Sequence, residues 1–195
     1  MSYSIVTRFQ VADPSALIEK APEVREKMIA AGAEAAALIQ PIAAGPSVGT
    51  MAALSLWNSV DAGIEGLGKL YADPVIEALS KVNPTLDRSI SKLMASYGDI
   101  DGQYIGVTRF TASEMSERGV AIAWEKGKAQ GITAIRASHC IAGGDNVGSY
   151  RAMFFTNSLD AWAQTIAELY ADDEYLSETA KTNFKVVFRG IARRF

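Results

Sequence analysis

The chain contains the four residues Val6-Thr7-Arg8-Phe9 twice, the second time as Val107-Thr108-Arg109-Phe110, at an offset of 101. Further along, the offset between the two copies settles at 99. An ungapped comparison of residues 32–74 with residues 131–173 gives 16 identities in 43 positions. Solenoid repeats have periods of roughly 20–50 residues. The much longer period found here predicts a duplicated domain.

The two offsets predict where the copies begin and end. Their difference indicates that the second copy lost two residues between its first strand and Gly131. We expect residues 1–98 to form the first repeat and residues 99–195 the second. The polar, glycine-containing stretch Tyr97–Gln103 is typical of a linker and marks the junction.

Each copy predicts the element order β-α-β-β-α-(α)-β. The copies open with strands rich in β-branched and aromatic residues, Ser4–Val11 and Tyr104–Thr111. A helix with apolar residues at steps of three and four follows, as in Leu17–Met28. A hairpin with a glycine-rich turn precedes a second helix, which we expect to be capped at Asn58-Ser59 or Asn157-Ser158. A short third helix and a final strand complete the unit.

This order is that of a ferredoxin-like α+β fold, in which helices cover one face of a four-stranded antiparallel sheet. The third strand of each copy is apolar on both faces, as Met51 and Ala53 alternate with Ala52 and Leu54. Soluble proteins avoid large exposed apolar patches. We therefore expect two ferredoxin-like βαββαβ repeats whose antiparallel sheets pack together as an intramolecular dimeric α/β barrel.

The duplicated pattern resembles the dimeric α/β-barrel superfamily. The motifs that carry the resemblance are the capped second helix and the ending Leu70-Tyr71-Ala72-Asp73, matched by Leu169-Tyr170-Ala171-Asp172. Similar members include the antibiotic-biosynthesis-monooxygenase-like, NIPSNAP-like and stress-responsive A/B-barrel families. The resemblance covers nearly the whole chain, and it implies one chain supplying both halves of the barrel. Because activities differ widely within one fold, it implies no specific reaction.

Composition excludes several classes of protein. The chain has 195 residues, is 49% hydrophobic and 21% charged, and carries a formal net charge of -3. This balance predicts neither a nucleic-acid nor a membrane partner. One cysteine and one histidine rule out an intrachain disulfide and most multi-ligand metal sites. No secretory signal, spanning segment or lipidation signal is recognisable, so we expect a cytoplasmic protein.

His139 is the first candidate catalytic residue. Its place in a predicted strand allows a general base or a haem ligand in a pocket between sheet and helices. The alternative is a hydrogen-bonded or solvated histidine near the Gly143-Gly144 turn. Haem-binding relatives carry their histidine on a helix, so the strand position argues against haem. Cys140 should point to the opposite face and is expected to be a buried, inert thiol.

Arginines supply the other candidates for binding an anion. Arg8 and Arg109 recur in the middle of the first strand of each copy, and Arg136 occurs in the second copy alone. An arginine in an apolar strand needs an anion, a carbonyl oxygen or solvent. We consider Arg109 as a catalytic residue beside His139, and Arg8 and Arg136 as clamps for a carboxylate or enolate. Structural salt bridges are the alternative.

Aromatic and amide side chains complete the predicted substrate site. The family resemblance implies an aromatic pocket, as in cofactor-free oxygenases that hold a phenolic substrate with Asn, Trp, Tyr or Arg. Trp57, Tyr150 and Asn157 are the candidates for such a pocket here. The alternatives are core packing for the aromatic residues and helix capping for Asn157. The glycine-rich stretches lie between strands and lack any nucleotide-binding fingerprint.

Three functions remain open from the sequence. The first is a small-molecule-binding protein or cofactor-independent enzyme, monooxygenase-like or isomerase-like, for a small apolar or aromatic substrate. It requires an enclosed pocket of at least a few hundred Å³ with a few converging polar groups. The second is a non-catalytic oligomerising or ligand-sensing module, and the third is a haem protein. The first function needs no cofactor, and we expect a small-molecule ligand and homo-oligomers as partners.

Overall fold

The computed structural model describes residues 2–195, which form eight strands, six α-helices and two 3-10 turns. The first copy contains β1 (Tyr3–Gln10), α1 (Pro14–Ala30), β2 (Ala35–Ala43), β3 (Thr50–Trp57), α2 (Val60–Tyr71), α3 (Pro74–Val82) and β4 (Thr85–Gly98). The second contains β5 (Tyr104–Thr111), α4 (Glu117–Gln130), β6 (Ile132–Ala142), β7 (Tyr150–Thr156), α5 (Leu159–Tyr170), α6 (Asp173–Lys181) and β8 (Lys185–Arg194). The predicted element order is confirmed in both copies.

The strands of each copy pair in the same antiparallel order. In the first copy it is β4-β1-β3-β2, and in the second copy it is β8-β5-β7-β6. Strand β4 starts at Thr85, because its pairing with β1 continues past a bulge to Phe9. Each sheet therefore has the same central pair of strands, β1 and β3 or β5 and β7.

The chain divides into two compact units. The first extends to Lys92 and also includes Ile141–Val147 and Arg194–Phe195. The second comprises Leu93–Cys140 and Gly148–Arg193. The domain boundary between residues 98 and 99 stays a prediction. Each unit has its own apolar core between its sheet and its helices, built around Trp57 in the first and Phe154 in the second.

The helix starts confirm the predicted caps. Ser59 accepts a hydrogen bond from the backbone N–H of Ala62 at 3.0 Å, and Ser158 caps α5 in the same way. The serine, rather than the asparagine before it, is the capping side chain in both copies. Asp73 and Asp172 cap α3 and α6. These caps fix the start of the helices that cover each sheet.

Alternation along the first strand of each unit decides which side chains face the helices. Thr7 and Phe9 of β1 lie against residues of α1 and α2, and Thr108 and Phe110 of β5 lie against α4 and α5. The arginine between them therefore projects from the opposite face. Within residues 2–195, no helix is long and apolar enough to cross a membrane.

Candidate functional site

Each unit has a cavity between its sheet and its helices that is partly open to solvent. The first-unit cavity has a volume of about 60 Å³ and the second-unit cavity about 50 Å³. Neither unit is solidly packed, but both volumes are well below the few hundred Å³ that the sequence led us to expect. The reason is that large side chains from the sheet and the helices, Phe9 and Tyr71 or Phe110 and Tyr170, occupy much of the space.

The wall of the second-unit cavity is mostly apolar, with several hydroxyl groups. Its apolar part is formed by Phe110, Met115, Val120, Ala123, Ile135, Ala152, Phe154, Ile166, Leu169 and Phe184. Its polar side chains are Thr108, Ser116, Tyr170, Tyr175, Thr179, Thr182 and Arg189. Arg189 is the only charged side chain among the described residues that line it. Such a wall suits a small apolar ligand carrying one polar group.

Most hydroxyls in this wall are satisfied by neighbouring groups of the protein. Ser116 caps α4 through the backbone N–H of Gly119 at 3.0 Å, and Thr179 donates to the carbonyl of Tyr175 at 2.9 Å. Thr182 donates to the carbonyl of Thr179 at 3.1 Å. These three hydroxyls thus have structural roles in the helices and turns that surround the cavity.

Thr108 is the exception. Its side chain is 5% exposed, and its hydroxyl is buried with no hydrogen-bond partner among the described residues. A buried hydroxyl without a partner costs about 1–3 kcal/mol. Because most buried polar groups in folded proteins are paired, an unpaired one in a cavity wall marks a candidate position for a bound water or a polar atom of a ligand.

Arg189 lies beside Thr108 at the edge of the cavity. It is opposite Thr108 in the pairing of β5 with β8. Its guanidinium donates through Nη2 to the hydroxyl of Tyr170 and lies 4.9 Å from the centre of that ring. Arg189 and Tyr170 are both exposed, so they form the solvent side of the cavity. This arrangement places a positive charge at the entrance of an otherwise apolar space.

Tyr175 adds a neutral hydroxyl group to the same wall. Burial raises the pKa of Tyr175 to about 12, and the nearby Tyr170 raises it further whereas the charge of Arg189 lowers it. The phenol therefore stays protonated at neutral pH and cannot serve as a base. At the equivalent position of the first-unit cavity the residue is Ile76.

The first unit contains the same threonine, arginine and tyrosine in a different arrangement. Thr7 is opposite Arg88 in the pairing of β1 with β4. Arg88 donates from Nε to the hydroxyl of Thr7 at 2.9 Å and from Nη2 to the hydroxyl of Tyr71 at 2.7 Å. Arg88 is half-buried. The hydroxyl that is unpaired in the second unit is therefore satisfied by the protein in the first.

The arginines predicted from the sequence lie outside both cavities. Arg8 forms an ion pair with Asp87 and donates to the hydroxyl of Ser47 at 2.9 Å. Arg109 lies 5.6 Å from the centre of the Phe188 ring. Arg136 donates to the carbonyl of Ile135 at 3.0 Å and to that of Gly98 at 2.9 Å. Burial lowers the pKa of Arg136. The predicted roles of the three arginines in ligand binding remain predictions.

His139 stacks on Tyr150 with ring centres 4.7 Å apart, and Tyr150 stacks on Phe110 at 5.5 Å. Phe110 lines the second-unit cavity, whereas His139 does not. The Tyr150 and Phe110 rings lie between His139 and the cavity. His139 lies on the helix-facing side of the sheet, whereas Arg109 lies on the other side. The structure does not bring these two predicted catalytic residues together.

The remaining predicted residues have contacts of their own. Trp57 is 1% exposed, and its indole N–H donates to the hydroxyl of Ser55 at 2.8 Å. Asn157 accepts from the backbone N–H of Gln103 at 3.1 Å and donates to the carbonyl of Asp101 at 3.3 Å. Neither side chain is among the described residues that line these two cavities. Their predicted contacts with a substrate stay predictions.

The residues do not fit the haem alternative. His139 is the single histidine, and its ring stacks on that of Tyr150. The second-unit cavity, about 50 Å³, is far too small for a porphyrin, which is at least as large as the ligands that need several hundred Å³. Among residues 2–195, no cluster of three or more His, Cys, Asp or Glu side chains could hold a metal ion.

Sequence reasoning missed Arg88 and Arg189, the two residues that distinguish the cavities. An ungapped alignment at an offset of 99 pairs Arg88 with Val187, so it does not show that this arginine recurs in the second copy. The usable signal was the offset of 101 seen in the first strand, which pairs Arg88 with Arg189. Strand pairing confirms this match, because the two arginines face Thr7 and Thr108.

Solved structures of similar fold cover the whole chain. A provisionally named chlorite dismutase, TA0507, has a TM-score of 0.63 and 12% identity, covering 100% of this chain and 94% of its own. A provisionally named monooxygenase from Lactobacillus acidophilus has a TM-score of 0.58 and 13% identity, covering 100% and 93%. A dye-decolorizing protein from V. cholerae has a TM-score of 0.54 and 11% identity, covering 97% and 92%.

The likeness shows that this chain shares the ferredoxin-like dimeric α/β barrel fold of these structures. No protein-family model matches the chain, and no protein of curated function matches it by sequence. Because the identities are low and the names differ, the likeness establishes the fold and no specific activity.

Proposed function

We propose that this chain is a small-molecule-binding protein that holds a small apolar or aromatic ligand in the second-unit cavity. The observation that carries the proposal is the buried hydroxyl of Thr108, which has no partner among the described residues and lies in a mostly apolar wall. A ligand oxygen that bonds this hydroxyl would remove its desolvation cost. The cavity volume of about 50 Å³ is below the roughly 150 Å³ of an engineered cavity that binds benzene, so an aromatic ring enters fully only if side chains of the wall move.

Cofactor-independent chemistry, monooxygenase-like or isomerase-like, is the activity to seek in this cavity. The names of the similar structures from Lactobacillus acidophilus and V. cholerae support an oxidative reaction. The wall supplies hydroxyl groups and the guanidinium of Arg189 but, among the described residues, no carboxylate or imidazole. Its contribution would be to orient a substrate and stabilise negative charge that develops on an oxygen atom.

A non-catalytic ligand-sensing or oligomerising module is the second candidate. The absence of an acid–base pair from the described wall of either cavity favours it. The two candidates share the same binding site and differ only in turnover. A binding measurement therefore tests the site itself, and an activity measurement then separates the candidates.

We also propose that the chain arose by tandem duplication of a ferredoxin-like repeat within the antibiotic-biosynthesis-monooxygenase-like and NIPSNAP-like group. The support is the matched element order and strand order of the two units, together with the recurring Thr, Arg and Tyr. Duplication allows one copy to keep a binding cavity while the other diverges. The differences between the two cavities fit this division of roles.

The test is binding of phenol, as a small aromatic probe, to the full chain and to two matched variants. We expect phenol to raise the melting temperature of the wild type, since a ligand that binds only the folded state stabilises it. Thr108→Val should abolish this increase, and Thr7→Val, the equivalent change in the first unit, should preserve it. A probe effect that survives Thr108→Val would contradict the proposed site. Oxygen uptake with bound phenol would then distinguish an oxygenase from a binder.

A further inference from the structure

In the first unit, the hydroxyl of the repeated threonine is bonded within the protein. There Arg88 contacts Thr7 at 2.9 Å and Tyr71 at 2.7 Å, so one guanidinium links both hydroxyls. The second unit has the same three residue types at the same positions in its strands and helix. Yet Arg189 bonds only the tyrosine, and the threonine hydroxyl has no partner.

We infer that the second-unit cavity binds a small organic anion, whose carboxylate or phenolate oxygen lies between the Thr108 hydroxyl and the Arg189 guanidinium, and that the chain binds one such ligand. This inference rests on the proposed function and specifies its ligand class. The ligand oxygen takes the place of the direct arginine–threonine hydrogen bond of the first unit. Its apolar part occupies the space lined by Val120, Ile135 and Phe154.

The charge of the wall selects an anion. Arg189 is the only charged side chain among its described lining residues, and its charge lies beside an apolar space. Tyr175 stays neutral, because burial raises its pKa to about 12. Hydrogen bonds between a guanidinium and an anionic oxygen are stronger than those between neutral groups. A cationic ligand would meet this positive charge without any described carboxylate in the wall to pair with it.

The first-unit cavity cannot bind the same ligand in this way. The Thr7 hydroxyl and the Tyr71 hydroxyl are both bonded to Arg88, which leaves no unpaired buried hydroxyl on that wall. An entering anion would have to break two hydrogen bonds of the protein to gain two of its own. In the second unit it breaks none at Thr108. This difference predicts one binding site per chain.

Calorimetric titration of the full chain with benzoate and with nitrobenzene, its uncharged isostere, tests the inference. We expect benzoate to bind with one site per chain and at least tenfold more tightly than nitrobenzene, as hydrogen bonds to charged groups warrant. Thr108→Val should weaken benzoate binding about tenfold. Arg189→Met should remove the preference for benzoate over nitrobenzene, and Arg189→Lys should restore part of it. Arg88→Met, the matched change in the first unit, should leave the affinity of the second-unit site for benzoate unchanged.

Each outcome separates the inference from the proposed function. Equal affinity for the two probes, with both lost in Thr108→Val, would overturn the anion assignment and leave the binding site standing. Two equivalent sites in the wild type would overturn the single-site assignment. No binding of either probe or of phenol, with the Thr108 hydroxyl bonded only to an ordered water in a crystal structure, would overturn both. Circular dichroism of each variant identifies any that does not fold, and Thr108→Ala, which also removes the hydroxyl, then replaces Thr108→Val.

Discussion

Arg88 donates a hydrogen bond to Thr7 at 2.9 Å, and the equivalent pair in the second unit, Arg189 and Thr108, forms no such bond. The four residues occupy matching positions in the two sheets. The residue types are therefore repeated, but the hydrogen bond is not. In the first unit the threonine hydroxyl in the cavity wall is therefore hydrogen-bonded within the protein, and in the second unit it is unpaired.

The difference predicts that the same substitution changes stability in opposite directions in the two units. Thr108→Val removes a buried unpaired hydroxyl at constant volume, so it should raise the free energy of unfolding of the ligand-free chain by about 1 kcal/mol. Thr7→Val removes the acceptor of the Arg88 bond and should lower it by about 1 kcal/mol. Urea denaturation of both variants gives the two values. If Thr108→Val lowers the stability as much as Thr7→Val does, the hydroxyl of Thr108 has a partner in solution.

The two units also solve their core packing differently. In the first, Trp57 from β3 lies against Gly66 of α2, and a Cβ atom on Gly66 would overlap the indole ring. In the second, the indole belongs to Trp162 of α5 and lies over Gly106 of β5. The indole ring is thus supplied by the sheet in the first unit and by the helix in the second, and the glycine lies on the opposite element in each case. In each unit the glycine makes the close approach of the ring possible.

Gly66→Ala should therefore destabilise the chain although alanine favours a helix. Overpacking of a core costs about 1–3 kcal/mol, which exceeds the gain of up to about 1 kcal/mol in helix propensity. Gly68→Ala in the same helix is the matched control, because a Cβ atom there meets nothing within 4 Å. It should raise the melting temperature. Equal effects of the two substitutions would show that Trp57 does not pack against Gly66 as described.

The sequence predicted the repeated elements well because their signals are local. Alternation of apolar residues gave the strands, and Ser59 and Ser158 precede their helices in the capping position. The unpaired Thr108 could not be predicted, because Thr7 and Thr108 lie in identical four-residue stretches. Which hydroxyl is bonded depends on where a distant arginine side chain points. That direction is set by packing around the cavity and not by local sequence.

The predicted site residues illustrate the same limit. Arg8 and Arg109 were chosen because they recur, but recurrence does not tell which face of the strand meets the helices. The neighbouring Thr7 and Thr108 face the cavities, and the arginines do not. The pair Arg88 and Arg189 was hidden by the change of offset between copies. A search at both offsets, 99 and 101, would have found it.

A repeated ion pair predicts how stability depends on acidity. Lys27 lies 2.7 Å from Asp73, and Lys126 lies 2.8 Å from Asp172. The lysine holds the pKa of each aspartate below its usual range, helped by the backbone N–H groups that the aspartate caps. Each carboxylate therefore adds stability above the unfolded pKa of about 4, and this stability is lost as pH falls through the lower, folded value.

Lys27→Met and Lys126→Met should lower the melting temperature at pH 7, and the effect should shrink steadily as the pH falls below about 4 and the aspartates become protonated. Because the four side chains are only half-buried and keep contact with solvent, we expect the effect to shrink in 1 M salt. Melting curves from pH 2 to pH 7 measure the trend. Lys20→Met is the control, since Lys20 pairs with Glu23 on the same helix without touching a capping residue. A constant difference at all pH values would show that the lysines act through packing alone.

Tyr175 predicts a second, alkaline dependence of stability. Burial raises its pKa to about 12 in the folded chain, above the ordinary value of 10. Ionisation is thus easier in the unfolded chain, so the contribution of Tyr175 to stability is full below pH 10 and is lost as pH rises toward 12. Tyr175→Phe should remove this loss. The wild type and the variant should therefore differ in the slope of unfolding free energy against pH between pH 10 and pH 12, measured in urea. Tyr104→Phe, on β5 outside the cavity, should keep the wild-type slope, and equal slopes for Tyr175→Phe and the wild type would mean that the Tyr175 phenol is solvated.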